Sequence, residues 1–286
     1  MPAIHDLTAD ELSSAYTLGA LSPVAVVTEV LDWIERWEPQ LNAMYVVHRE
    51  AALAAAAESE ARWREGRSLS VLDGVPVTVK ENLYTVGDAA PLGTAATQLA
   101  PKTQDAPPSA RLREAGCVIL GKTTMPDYGM LSSGRSSFHG TTRNPWDTDK
   151  NTAGSSSGAG AAAAAGYGPL HVGTDIGGSV RLPAALCGIY ALKPSLGRIP
   201  IDPPYLGRAA GPMTRTVRDS AMLMDVLTRP DARDFMSLPW QPMRHAQSLE
   251  GLSPRGLRIG LLLDAGCGLK VAPAVQQPGR EAGAAL

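Results

Sequence analysis

The stretch "NTAGSSSGAGAAAAAGYGPLHVGTDIGGSVRLPAALCG" (151–188) decides how the chain folds. A polar Ser-Gly loop runs into "GAGAAAAAG" (158–166), a helix of small residues able to pack very close to its neighbours. "LHVGTD" (170–175) reads as a strand, "DIGGS" (175–179) as a Gly-Gly turn and "SVRLPAALCG" (179–188) as a helical start. Such alternation of helices and apolar strands indicates an α/β layer architecture.

The same alternation extends outward. Upstream, "GVPVTVK" (74–80) turns to β-branched residues and predicts a short strand, and "CVIL" (117–120) a fully buried one, with a helix over 107–115 between them. Residues 7–66 read as helical. Thr8 with Glu11 forms a capping box, and Ser22 followed by Pro23 supplies an N-cap and an N1 proline. Val26, Val27, Val30, Leu31 and Ile34 then recur at helical spacing, and a third helix over 50–66 stops at Gly66. Downstream, "TVRDSAMLMDVLT" (216–228) predicts an amphipathic helix and "GLRIGLLLD" (256–264) a final strand. Residues 265–286 lose their apolar period, carry Pro278-Gly279 and read as an irregular tail. No internal repeat is visible.

Composition narrows the function classes. The chain has 286 residues, 44% hydrophobic and 19% charged, enough for one large domain or two small ones. A net charge of −2 gives no basic surplus for nucleic acid or an anionic membrane. Cys117, Cys187 and Cys267 lack disulfide or metal spacing and read as small buried hydrophobes in a reducing compartment. The N-terminus has no signal-peptide pattern and no apolar run is long enough to span a bilayer, so the expectation is a soluble cytoplasmic protein.

Four segments invite a chemical reading. "GCVILGKT" (116–123) matches the phosphate-loop pattern, but its inner residues favour a strand over a flexible turn, and Pro126 interrupts any helix that Lys122 might open. "GSSSG" (154–158) has the form of a nucleophile elbow centred on Ser156, with His171 and His245 later in the chain, yet a polar loop precedes it where the elbow needs a strand. In "DIGGS", Ser179 is placed as a nucleophile. The consecutive N–H groups of Ile176, Gly177, Gly178 and Ser179 are free of bulk and suited to an oxyanion, with a helix start beyond them. No histidine lies near Ser179 in sequence. Lys80 ends an apolar strand, where a lysine is ordinarily solvated; as a base it must be desolvated, and lowering a lysine from about 10.4 to about 7 takes roughly 4–5 kcal/mol of environment, available only deep in a packed core.

Taken together, "GVPVTVKEN", "GKTTMPDYG", the long segment from "NPWDTDKNTAGSSSG" to "KPSLGRI", and "GPMTRTVRD" resemble the amidase signature family, with similarity over most of residues 7–265. The resemblance implies a mixed central β-sheet flanked by helices in a single domain (1–286), made of a helical N-terminal region (1–66), a catalytic core (67–264) and the tail (265–286). It also implies hydrolysis of a carboxylic amide through a Ser–cis-Ser–Lys triad. Ser179 is then the nucleophile, Ser155 the bridging serine joined to Gly154 by a cis peptide bond, and Lys80 the general base. Ser156, Asp175 and Arg181 are expected to support the serines and the turn, and Gly129 and Met130 to line the acyl pocket. No cofactor or metal is implied. The expected partner is a small-molecule amide, without nucleic acid or membrane, with a homo-oligomer as an open option.

The chain departs from the family pattern in having Ala153-Gly154 where Gly-Gly is common and Ser157 where glycine is usual. Members of the family also continue well past "LRIGLLLDAGCGL", so the sequence reads as shortened, its tail resembling a truncated or frameshifted end. Two alternatives follow: a weakly active or inactive homologue, or a protein like the transamidating subunit of a tRNA-dependent amidotransferase, acting in a complex.

Overall fold

The structure is a computed structural model describing residues 3–264, 266–268 and 270–286. It separates into two compact units, Met1–Ala246 and Gln247–Leu286.

The first unit opens with α1 (Ala9–Thr17), whose Thr8–Glu11 capping box forms as the sequence predicts, and α2 (Pro23–Leu41), capped by Ser22. The predicted spacing buries Val26, Val27, Val30, Leu31 and Ile34. Residues 44–47 depart from the all-helical reading: Met44–Val47 forms β1, drawn into the sheet by antiparallel pairing with β3. There follow α3 (Arg49–Arg64), β2 (Pro76–Lys80), α4 (Pro107–Glu114) and β3 (Val118–Thr123). Two small hairpin ladders come next, β4 (Arg135–Ser136) with β5 (Gly140–Thr141) and β6 (Arg143–Asn144) with β7 (Asp147–Asn151). The unit continues through α5 (Ser157–Ala165), β8 (Leu170–Asp175), α6 (Arg181–Cys187), β9 (Tyr190–Ala191), β10 (Ala209–Thr214) and α7 (Val217–Leu227).

Six strands form one mixed sheet in the order β1-β3-β2-β8-β10-β9. β3, β2 and β8 are parallel and central, while the outer pairings are antiparallel. Every residue of β2, β3 and β8 is buried, as expected for parallel strands covered on both faces. Val79 lies opposite Val172, so β2 and β8 end side by side. The carboxyl ends of adjacent parallel strands are where open α/β sheets place their ligands.

The small residues of α5 serve a close approach. A Cβ on Gly158 would sit 2.1 Å from the carbonyl oxygen of Ala43 and 2.5 Å from the nitrogen of Thr124. One on Gly173 of β8 would sit 2.7 Å from Ser156 Oγ. Both contacts are far inside van der Waals range, so only glycine lets the start of α5 lie against the strand ends.

In the second unit two expectations are overturned. Residues 256–264 form no strand and are almost wholly exposed. A strand needs a partner for its N–H and C=O groups, and the described residues of this unit include no other strand. The tail is not wholly irregular: Pro273–Ala285 forms α8, with proline in its first turn and Gln277 bonded to Glu281 one turn on. Residues 265 and 269, also within the expected tail, lie outside the described residues. Cys117 and Cys187 are buried as expected, but Cys267 is exposed, because its surroundings bury no side chain. No helix among the described residues is long and apolar enough to cross a membrane.

Candidate active site

Lys80 is the last residue of β2 and is fully buried. Its Nζ lies 2.8 Å from Ser155 Oγ, 3.0 Å from Ser156 Oγ and 3.0 Å from Thr174 Oγ1. Burial depresses its pKa to about 7, helped by the positive charge of Arg208 and opposed by Glu81 and Asp175. All three of its hydrogen-bond partners are hydroxyls, which can both accept and donate.

The Ser-Gly loop supplies two of those hydroxyls. The Gly154–Ser155 peptide is cis, and Ala153 before it has φ +61°. Ser156 stands buried at the entry to α5; its hydroxyl donates to the carbonyl of Thr174 and accepts from the Thr174 N–H. Its own N–H donates to the carbonyl of Ser179. Loop, strand end and turn are thus joined by main-chain and hydroxyl contacts.

Ser179 sits in the turn after β8, half-buried, and lines one small cleft with Asn82, Tyr128, Gly129, Ser155, Thr174, Ile176 and Arg208. No side-chain hydrogen bond joins Ser155 to Ser179. Asp175 holds the turn. Its carboxylate accepts from the N–H groups of Gly178 (2.8 Å) and Val180 (3.0 Å) and from Arg181 Nε and Nη2 at 3.0 and 2.9 Å. Burial would raise the Asp175 pKa, but the Arg181 guanidinium and these N–H groups outweigh it and hold the carboxyl at about 2.

Two expected placements need correction. The N–H of Gly178 is turned onto Asp175, so it is not free for the oxyanion role expected of it. Met130 is 81% exposed and lies outside the cleft, whereas Gly129 lines it together with Tyr128. The compact turn at Asp127–Gly129 swings Met130 outward.

The competing motifs resolve differently. Lys122 is part of β3, buried, and its ammonium donates to the carbonyl of Leu83. His171 is buried between Thr78 Oγ1 and the carbonyl of Gly168, with burial pushing its pKa to about 3, and His245 pairs with Asp225. Neither histidine serves the serines.

Sequence reasoning misses Thr174, Asn82, Tyr128 and Arg208. Asn82 Nδ2 donates to Thr174 Oγ1 at 3.1 Å. A signal exists for two of them: Asn82 is two residues past Lys80, and Thr174 is the penultimate residue of the neighbouring strand.

A family model described as Amidase matches residues 25–286. A glutamyl-tRNA(Gln) amidotransferase subunit from Chloroflexus aggregans is 39% identical over 269 residues, covering 91% of this chain and 54% of the relative. Among solved structures, a bacterial aryl acylamidase of the amidase signature family superposes with a TM-score of 0.80 at 34% identity, over 86% of this chain and 52% of that one. The 6-aminohexanoate cyclic dimer hydrolase superposes with a TM-score of 0.90 at 29% identity, over 100% and 59%. The chain therefore spans about half the length of the relatives it matches. On its sequence, its sheet and this breadth of likeness, the chain belongs to the amidase family of amidase signature enzymes.

Proposed function

We propose that this chain carries the reacting groups of a hydrolase for small carboxylic amides. The observation that carries the reading is the 2.8 Å hydrogen bond from the buried Lys80 amine to Ser155, beside a cleft shared by Ser155 and Ser179.

Ser179 Oγ attacks the amide carbonyl and passes its proton to Ser155, whose own proton goes to neutral Lys80. Oxygen charge in the tetrahedral intermediate falls to the N–H groups of Ile176, Gly177 and Ser179; losing one such donor typically costs about 3–4 kcal/mol. Collapse breaks the carbon–nitrogen bond, and the departing amine takes the proton back from Lys80 through Ser155. Water then attacks the acyl-enzyme by the same relay and restores Ser179. Ser155 and Ser179 come within relay distance as substrate fills the cleft, since catalytic hydrogen bonds commonly tighten only in the complex.

The test is labelling with a serine-directed fluorophosphonate. Modification is expected at Ser179 and is expected to vanish in Lys80→Ala. Unchanged labelling in that variant would remove Lys80 as the base.

A second reading draws on the similarity to amidotransferase subunits: the same acyl chemistry, with ammonia passed to a second acceptor in a complex. It is favoured if released ammonia appears only when partner subunits are added.

A further inference from the structure

Arg208 stands apart from Arg215, Arg181 and Arg233. Arg215 donates to the carbonyls of His5, Leu7, Ala163 and Gly168, while Arg181 is paired with Asp175 and Arg233 with Asp231. The side chain of Arg208 makes no ion pair and no hydrogen bond among the described residues. It lies over the face of Tyr205, with Cζ 4.7 Å from the ring centroid.

Its position is set by the sheet. Ala209 of β10 pairs with Asp175 of β8, which brings Arg208 beside the start of the Ser179 turn. From there it lines the cleft with Ser155 and Ser179. Of the acidic groups nearby, Asp175 is paired with Arg181, and Glu81 is hydrogen-bonded to the His139 ring. Of the described residues lining the cleft, Arg208 alone carries a charged side chain.

We propose that Arg208 selects amides bearing a carboxylate close to the scissile bond, its guanidinium fork receiving that carboxylate while Ser179 meets the amide carbonyl. A planar guanidinium matches carboxylate geometry with two parallel N–H donors, and stacking on Tyr205 restricts it before the ligand arrives. The assignment rests on the amide-hydrolase reading above and adds a substrate class to it.

Binding, not turnover, tests it. In Ser179→Ala protein, calorimetry compares succinamate with the neutral amide butyramide. Succinamate is expected to bind at least about tenfold more tightly, the scale of a hydrogen bond to a charged group, with the preference weakening as salt is added. The preference should disappear in Ser179→Ala/Arg208→Met and survive in part in Ser179→Ala/Arg208→Lys, which keeps the charge. Equal affinities, undetectable succinamate binding, or a preference that persists in the methionine variant would overturn the assignment. If Ser179 of the unmodified protein still labels with fluorophosphonate in that event, the hydrolase reading survives alone. A preference without labelling has the opposite meaning.

Discussion

The N–H of Ser156 donates to the carbonyl of Ser179 over 3.0 Å, fastening the Ser-Gly loop to the turn after β8 at the residue beside Ser155. Because this tie is between main-chain atoms, the Ser155 hydroxyl can be removed without releasing either segment. Ser155→Ala is expected to slow fluorophosphonate labelling of Ser179 by roughly 10²–10⁴, the usual range for a lost proton-transfer group. Thermal melting should stay close to that of the unmodified protein. Labelling within a few-fold of the original rate would show that Ser155 is not in the relay.

Labelling should depend on pH through Lys80. Only the neutral amine accepts a proton, and burial, aided by Arg208, brings the pKa to about 7. The labelling rate is therefore expected to rise through about pH 7 and level off above it. A rate that is flat from about pH 6 to about pH 9 would contradict a buried amine as the base.

Stability should also vary with pH, and Lys122 allows this to be measured apart from catalysis. Burial depresses Lys122 to about 7, against the pull of Asp88, Glu81 and Asp105. Between the folded and unfolded pKa values, from about 7 to about 10.5, the unfolded chain binds a proton that the folded chain does not. Raising the pH through that window removes the proton from the unfolded state and stabilises the fold, by up to about 1.4 kcal/mol per pH unit for each such lysine. Below the window both states are protonated and this stabilisation is absent. Lys122→Met should flatten the rise in melting temperature between about pH 7 and about pH 9, and an unchanged slope would refute the depressed pKa.

Ala153 has a left-handed backbone, φ +61°, in a buried position. For a residue with a Cβ this costs about 1–2 kcal/mol that glycine does not incur, partly offset by the greater entropy of an unfolded glycine. Ala153→Gly is expected to raise the melting temperature by a few degrees, checked by calorimetric scanning. A lower melting temperature would mean that the methyl group's packing outweighs its backbone cost.

Asp175 and Arg181 should respond unequally. The Asp175 side chain is fully buried and organises two N–H groups of the turn, whereas the Arg181 side chain is half exposed. Asp175→Asn leaves buried donors imperfectly matched and is expected to cost about 2–4 kcal/mol, with loss of Ser179 labelling. Arg181→Ala is expected to cost about 1 kcal/mol or less, because solvent screens the pair. Denaturant titration of the two variants compares them directly.

Much of the fold is legible in local chemistry. The capping box at Thr8 and Glu11, the N-cap at Ser22, the strand over 170–175 and the helix over 216–228 each rest on neighbours in sequence. β1 is not legible, because Met44–Val47 becomes a strand only by pairing with Thr123, Lys122 and Gly121. Residues 256–264 fail the other way: an apolar run states a preference for a strand but cannot supply its partner. At the site, the family resemblance implies Lys80, Ser155 and Ser179, and the fold brings Lys80 against Ser155 and sets Ser155 and Ser179 on one cleft. Arg208 and Tyr128 carry no such spacing, since what makes them part of the cleft is strand register and a turn. The N–H of Gly178 is misjudged because the sequence cannot tell which donor in a Gly-Gly turn the preceding carboxylate captures.

Every oxygen that hydrogen-bonds the Lys80 amine is uncharged. Imidazole relays need an anionic neighbour to orient the ring, and that neighbour's field repels negative molecules from the reaction centre. A ring of alcohols orients the amine by contact alone, and the carboxylate of the adjoining turn, Asp175, is held against Arg181. A protein built this way can admit anions to its nucleophile, and its choice among them falls to whatever cation stands at the rim.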